Sequence, residues 1–172
     1  MKIILIGYMT SGKSLIGSEL AKILDMNFID LDEYIEEKEG DSIKEIFSKK
    51  GNIFFRKIEN TFLEEILGLK DNLVLSLGGG TPCFANNLEL IQRTDEAKSI
   101  YLNVSVKELS KRLIVDRENR PLVAHIKTEE EMLEFVGKHL FERLSFYNQA
   151  NYMVEANNSK EIILEDILFK LF

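Results

Sequence analysis

The sequence predicts an α/β fold: a three-layer sandwich in which a five-stranded parallel sheet is covered by helices on both faces. Three observations predict it. Apolar segments alternate between strand-like and helix-like lengths along the chain, which is the β-α-β pattern of a parallel sheet. The run Ile3-Ile4-Leu5-Ile6 is continuous enough for a strand buried on both sides, and it opens directly into a glycine-bounded loop followed by a helical pattern. No linker, repeat or low-complexity tract interrupts the 172 residues, a length near that of one compact domain.

The elements follow in order. Residues 3–6 form the first strand. Residues 13–24 form the first helix, with Leu15, Ile16, Leu20, Ile23 and Leu24 at helical spacing. A short second strand spans 27–30 and leads into a helix at 32–38. Ser42 and Glu45 make a capping box that opens another helix, and Gly51 closes it. Residues 52–67 are helical, with Phe54, Ile58, Phe62 and Ile66 as the apolar stripe and Arg56 and Glu59 off it. A mostly apolar strand at 73–77 runs into Gly78-Gly79-Gly80-Thr81-Pro82. Next come a helix at 87–93, a strand at 99–104, and a helix capped by Ser105 that reaches about residue 113. The polar, Arg-rich stretch 115–122 contains Pro121, which breaks any helix there. Thr128 and Glu131 form a further capping box, and the long helix beyond carries Leu133, Val136, Leu140, Leu144 and Tyr147. A last strand at 152–155 and an amphipathic helix at 161–172 close the chain.

The chemistry begins in Gly7-Tyr8-Met9-Thr10-Ser11-Gly12-Lys13-Ser14, which reads G-x-x-x-x-G-K-S between a strand and a helix. Glycines let the backbone wrap a phosphate with its N–H groups turned inward, and the helix that follows points its positive end at the same place. Lys13 adds a full charge, and the Ser14 hydroxyl can hold Mg²⁺. Nucleotide contacts are therefore expected from Gly7, Thr10, Ser11, Gly12, Lys13, Ser14 and Leu15.

Other clusters fall at strand ends, where open parallel sheets bind ligands. Asp30 and Asp32 follow the second strand. One carboxylate could support Mg²⁺ through water and the other could accept a hydroxyl proton; the alternative is that Asp32 caps a helix. Gly78, Gly79 and Gly80 suit the close approach of a small substrate or a flexible turn. Arg120 and Arg117 lie in the polar stretch, where an arginine could reach a transferring phosphoryl group, or be solvated, an alternative that fits Arg117 better. Arg112 could stack on a base or face solvent. His125 and His139 have no metal-ligand pattern, and Cys83 reads as a packing residue.

Composition narrows the function classes. Apolar residues are 45% of the chain, enough for a real core, and no apolar run approaches a membrane span. Residues 1–7 are too short for a signal peptide and feed straight into the phosphate loop, so they read as mature structure. A single cysteine excludes an internal disulfide and fits a reducing cytoplasm. The net charge of −7 argues against a nucleic-acid partner and requires a few local cations for any anionic substrate. A cytoplasmic monomer without membrane or nucleic-acid partners is expected.

Taken together, the residues resemble the shikimate kinase family over nearly the whole chain. The resemblance rests on the phosphate loop, Asp30-Leu31-Asp32, Gly51 with Phe55-Arg56 and Glu59, Gly78-Gly79-Gly80-Thr81-Pro82, Arg120-Pro121-Leu122, and Glu142-Arg143 with Tyr147. It implies a nucleoside-monophosphate-kinase-like P-loop fold: one domain over residues 1–172, a lid at about 114–127 and a substrate-binding helical region at about 32–62. It implies ATP-dependent phosphorylation of the shikimate 3-hydroxyl in aromatic amino acid biosynthesis, with ATP and Mg²⁺. Under it, Arg56 and Arg143 hold the substrate carboxylate, and Asp32 with Gly78, Gly79 and Gly80 holds the hydroxyls. Lys13, Asp32 and Arg120 are the catalytic residues, Arg112 lies against adenine, and Ser14 with Asp30 behind it serves Mg²⁺. Thr10 stands where the family usually has glycine and Asn52 where it usually has glutamate; the lid does not align cleanly at Arg117. Two other readings compete: a P-loop kinase for gluconate or a nucleotide, and a module that binds ATP without turnover. Arg56 and Arg143 with the triple glycine favour the shikimate reading, and intact Lys13, Ser14, Asp32 and Arg120 favour an enzyme.

Overall fold

Five parallel strands in the order β2-β3-β1-β4-β5 frame the molecule: β1 (Lys2–Ile6), β2 (Asn27–Asp30), β3 (Leu73–Ser76), β4 (Ala97–Asn103) and β5 (Tyr152–Glu155). The computed structural model describes residues 1–120 and 122–172. β1 is central because it is apolar on both faces; Ile3, Ile4, Leu5 and Ile6 are fully buried. Register decides where the loops go. Ser76 pairs with Leu5 on one side and with Asp30 on the other, so β1, β3 and β2 end at one level. The segments that leave them, which carry Gly7–Ser14, Asp32 and the triple glycine, therefore meet.

The helices are α1 (Lys13–Leu24), α2 (Leu31–Glu39), α3 (Ile43–Gly68), α4 (Asn87–Arg93), α5 (Val106–Asp116), α6 (Glu129–Tyr147) and α7 (Lys160–Leu171). α1 packs on β1, β2 and β3 beside α7, which packs on β5; α4 packs on β4 and α3, and α5 packs along α6. The capping boxes at Ser42/Glu45 and Thr128/Glu131 are both formed, and the Ser105 side chain caps α5. Gly51 interrupts α3 at φ 80 and ψ 174, a left-handed break between two helical arms, as its position after the first capped helix predicts.

Several expectations need correction. The buried stripe of the second arm of α3 is Phe55, Glu59, Leu63, Ile66 and Leu67, while Phe54, Ile58 and Phe62 are only partly buried. The helix is rotated from the expected orientation because Glu59, a carboxylate, is held inside by partners. On α6 the buried residue near the start is Met132, and Leu133 is 45% exposed. β4 begins at Ala97 because Ala97 pairs with Lys2 of β1. α5 continues to Asp116 and passes into a 3-10 turn at Arg117–Asn119; Pro121, expected to break the helix, lies outside the described residues. Among the described residues, no helix is long and apolar enough to cross a membrane.

Candidate active site

The phosphate loop is shaped by backbone that side chains rarely permit. Gly7 is packed so closely that a Cβ there would lie 2.8 Å from Ser11 Oγ and 3.1 Å from the Leu102 carbonyl. Gly12 enters α1 at φ 95. Thr10, standing where the family usually has glycine, also takes a left-handed conformation, φ 61, although a β-branched side chain disfavours it. Its hydroxyl is buried without a hydrogen-bond partner. The loop thus takes this conformation at a local cost.

Lys13 is buried, and its Nζ donates to the carbonyls of Gly7 at 3.0 Å and Tyr8 at 2.9 Å. Burial pushes this ammonium down to about 8; the Asp32 and Asp30 carboxylates resist the shift and the Arg120 guanidinium adds to it. Ser14 Oγ donates to Asp30 Oδ2 at 2.6 Å. The other Asp30 oxygen, Oδ1, accepts the Asp32 N–H at 3.0 Å. Asp30, rather than Asp32, is therefore the N-cap of α2, which leaves the Asp32 carboxylate for the site. Burial raises the Asp32 carboxyl to about 6, helped by the Asp30 and Glu59 charges and opposed by Lys13 and Arg56.

The triple glycine has a specific steric reason. None of the three takes a positive φ, so flexibility is not what they supply. A Cβ on Gly78 would lie 3.1 Å from Asp32 Oδ1, on Gly79 3.1 Å from the Met9 nitrogen, and on Gly80 2.8 Å from Arg56 Nη2. Bare backbone lets the turn press against the phosphate loop, the Asp32 carboxylate and the Arg56 guanidinium at once.

Arg56 is held on several sides. Its Nη1 donates to Glu59 Oε2 at 2.7 Å, and its guanidinium carbon sits 3.9 Å from the Phe84 ring centre, a stacked cation–π contact. Glu59 is 1% exposed, and its second oxygen, Oε1, accepts the Thr81 hydroxyl at 2.7 Å. The fork is thereby anchored before any ligand arrives. Arg143 donates through Nη1 to the His139 carbonyl at 2.7 Å, with its side chain 15% exposed. Both arginines act on Cys83: burial raises the thiol to about 11 against their pull, while Glu59 adds to the rise. The charges of Arg56 and Arg143, 87 residues apart in sequence, thus both bear on one 3-10 turn, Thr81–Cys83.

A cavity of about 270 Å³ brings together Thr10, Gly12, Lys13, Ser14, Leu15, Asp30, Asp32, Gly78, Gly79 and Arg120. Ser76 and Leu77 from the end of β3 line it too. Of the expected site residues, Gly7, Ser11, Arg56, Gly80, Arg112 and Arg143 are not among those that line the cavity. Arg112 reaches the back of the loop, donating to the Thr10 carbonyl at 3.1 Å and to Glu108 at 2.9 Å. The two arginines of the polar stretch separate: Arg117 donates to the Ile114 carbonyl at 3.0 Å, and Arg120, paired with Asp116 at 2.9 Å, faces the cavity. The Ser14 hydroxyl and the Asp30 carboxylate are hard oxygen donors at the cavity wall, a set that suits Mg²⁺ held mainly by phosphates and water. Among the described residues, no cluster of three or more His, Cys, Asp or Glu forms a protein-only metal cage.

Sequence reasoning gave no role to three supporting residues, although Glu59 and Tyr147 are among those that carry the family resemblance. Glu59 lies three residues after Arg56, a helical ion-pair spacing that could have found it. Tyr147, four residues after Arg143, donates its hydroxyl to the Gly79 carbonyl. Phe84 gave no local signal.

A phosphate loop after the central strand of a parallel sheet in this order, with a carboxylate and anchored arginines beyond it, defines a P-loop kinase of a small acceptor. The family model for shikimate kinase matches residues 9–171, and the chain belongs to the shikimate kinase family. A shikimate kinase of Flavobacterium johnsoniae is 46% identical over 168 residues, covering 97% of this chain and 96% of that protein. The crystal structure of shikimate kinase from Bacteroides thetaiotaomicron is similar at a TM-score of 0.87 and 35% identity, covering 99% of this chain and 98% of that one. Shikimate kinase from Acinetobacter baumannii, solved in complex with shikimate, is similar at 0.83 and 33% identity, covering 99% and 91%.

Proposed function

We propose that this chain transfers the γ-phosphoryl group of ATP to the 3-hydroxyl of shikimate, giving ADP and shikimate 3-phosphate in aromatic amino acid biosynthesis. The observation that carries the reading is the position of Asp32. Asp32 lines the cavity together with Lys13 and Arg120, and the charges of Lys13 and Arg56 both bear on its carboxylate. Arg56 and Arg143 grip the acceptor carboxylate, for which a planar fork is suited. Asp32 and the backbone of Gly78, Gly79 and Gly80 position the hydroxyls. Phosphoryl transfer needs alignment and charge neutralisation more than a strong base, so Asp32 mainly orients the attacking hydroxyl and takes its proton as the bond forms. Lys13 turns from the Gly7 and Tyr8 carbonyls to the phosphates, and Arg120 meets the moving phosphoryl group.

Mg²⁺, when bound, neutralises phosphate charge; Ser14 would hold it directly and Asp30 through water. Gly7, Thr10, Ser11, Gly12 and Leu15 hold the nucleotide phosphates, and Arg112 lies against the base. The domain works as a cytoplasmic monomer, with residues 32–62 as the acceptor region and residues 114–127 as a lid that carries Arg120. Hydrogen exchange in the lid should slow when nucleotide and shikimate are added together; equal, high protection in both states counts against closure. The reaction itself is tested by ADP release from ATP and Mg²⁺ with and without shikimate, beside a panel of sugar acids. Strict dependence on shikimate is expected. Release without an acceptor, or a preference for gluconate, overturns the assignment.

A further inference from the structure

One face of α6 touches both halves of the site. His139, Arg143 and Tyr147 are spaced four residues apart and so lie along one stripe. Tyr147 holds the Gly79 carbonyl, and Arg143 is one of the two acceptor-side arginines. His139, outside the motifs of the family resemblance, points to the phosphate loop: its Nδ1 lies 2.7 Å from the Tyr8 hydroxyl, and the two rings meet edge-on with centres 5.5 Å apart.

Tyr8 is the second residue of the loop and is 2% exposed, so its hydroxyl needs a partner inside the protein. Its carbonyl accepts Lys13 Nζ at 2.9 Å. Tyr8 is therefore tied at one end to the phosphate lysine and at the other to His139. The His139 carbonyl in turn accepts Arg143 Nη1 at 2.7 Å. Burial lowers the imidazole to about 4, with Arg143 adding to the shift and Glu142 opposing it, so the ring is neutral and can accept the Tyr8 proton at Nδ1. Phe135 packs on the same ring with centres 5.1 Å apart and restricts its rotation.

We propose that the Tyr8–His139 hydrogen bond links the phosphate loop to Arg143, making His139 a positioning residue through which bound nucleotide and bound acceptor strengthen each other. When Lys13 leaves the Tyr8 carbonyl for a phosphate, Tyr8 loses one tether, and its remaining side-chain bond transmits the change to α6. The proposal rests on the reading that the loop binds nucleotide and that Arg143 binds the shikimate carboxylate. A chain of contacts is not in itself coupling, so the test measures coupling directly.

The experiment is calorimetric or fluorescence titration of shikimate into the whole protein, with and without saturating Mg·ADP. The variants are Tyr8→Phe, His139→Leu and His139→Asn. The parent should bind shikimate about 5-fold or more tightly with Mg·ADP present, and by linkage shikimate should tighten Mg·ADP by the same factor. Tyr8→Phe removes one oxygen and keeps the ring, so the fold is retained, as a thermal melt checks. In Tyr8→Phe and His139→Leu the factor should fall to within about 2-fold of unity. His139→Asn, which keeps an acceptor near the Nδ1 position, should recover most of it; a purely structural role predicts no such recovery. An undiminished factor in folded Tyr8→Phe, or a parent that shows no coupling, overturns the proposal and leaves the reading of the site intact. A parent that binds no shikimate overturns both.

Discussion

The two halves of the proposed site are built in opposite ways. The phosphate half is eight consecutive residues, Gly7–Ser14, whose backbone conformation is the binding surface. The acceptor half is made of side chains from distant elements: Arg56 and Glu59 on α3, the glycine turn after β3, Phe84, and Arg143 on α6. The phosphate half tolerates little change because strain and charge are packed into one loop. In the acceptor half, each arginine is useful only because something else holds it. Glu59 and Phe84 hold Arg56, and the His139 carbonyl holds Arg143. A local motif can be recognised from its order; a convergent one depends on the packing that brings its parts together.

The largest expected effect breaks the phosphate half. Lys13→Ala should lower kcat by a factor on the order of 10³ or more, because the ammonium helps most as the phosphoryl group moves. Steady-state kinetics checks it, and near-normal turnover in the folded variant would remove the loop from the mechanism. Breaking the acceptor half should cost somewhat less and should be selective. Arg56→Ala or Arg143→Ala should reduce kcat/KM for shikimate by about 30- to 1000-fold, with nucleotide affinity in the absence of shikimate nearly unchanged. Arg56→Lys should recover only part, since an ammonium neither pairs two-pronged with a carboxylate nor stacks on Phe84 as a planar fork does. A parallel loss of nucleotide binding without shikimate would mean that the halves are not separable in this way.

A third measurement sharpens the electrostatics between the arginines. Cys83 lies under the influence of both, yet burial dominates and lifts its thiol from 9 to about 11. A raised thiol has less thiolate at any pH below its own value. Alkylation by iodoacetamide at pH 8 should therefore be about 100-fold slower than for an ordinary thiol, rising about tenfold per pH unit up to about 11. Fast alkylation at pH 8 would mean that the arginines, not burial, control this turn.

The smallest effect concerns the strain of the loop. Thr10 is a β-branched residue at φ 61 with a buried, unpartnered hydroxyl. Thr10→Gly should relieve both at the expense of some backbone entropy, for a net gain on the order of 1 kcal/mol. In a domain of this size that raises the melting temperature by about 2–4 °C. A lower melting temperature would show that the threonine side chain contributes packing that outweighs its conformation.

Much of this protein was legible in its order of residues alone. The five strands, the alternation with helices, the helix starts at Ser42, Ser105 and Thr128, and the break at Gly51 all follow from local pattern. The phosphate loop follows too, because hydrogen-bond donors on consecutive amides need no distant partner to be placed. Tertiary structure decided the rest. It buried Glu59 by providing Arg56 and Thr81 as partners, which no periodicity can reveal, since a carboxylate reads as exposed until its partners are known. It gave the cap of α2 to Asp30 and so freed Asp32 for the site. It separated Arg120 from Arg117 by the local turn of the backbone at the end of α5. And it tied the loop to α6 through Tyr8 and His139, 131 residues apart, a contact that depends on how the layers pack rather than on either neighbourhood in the chain.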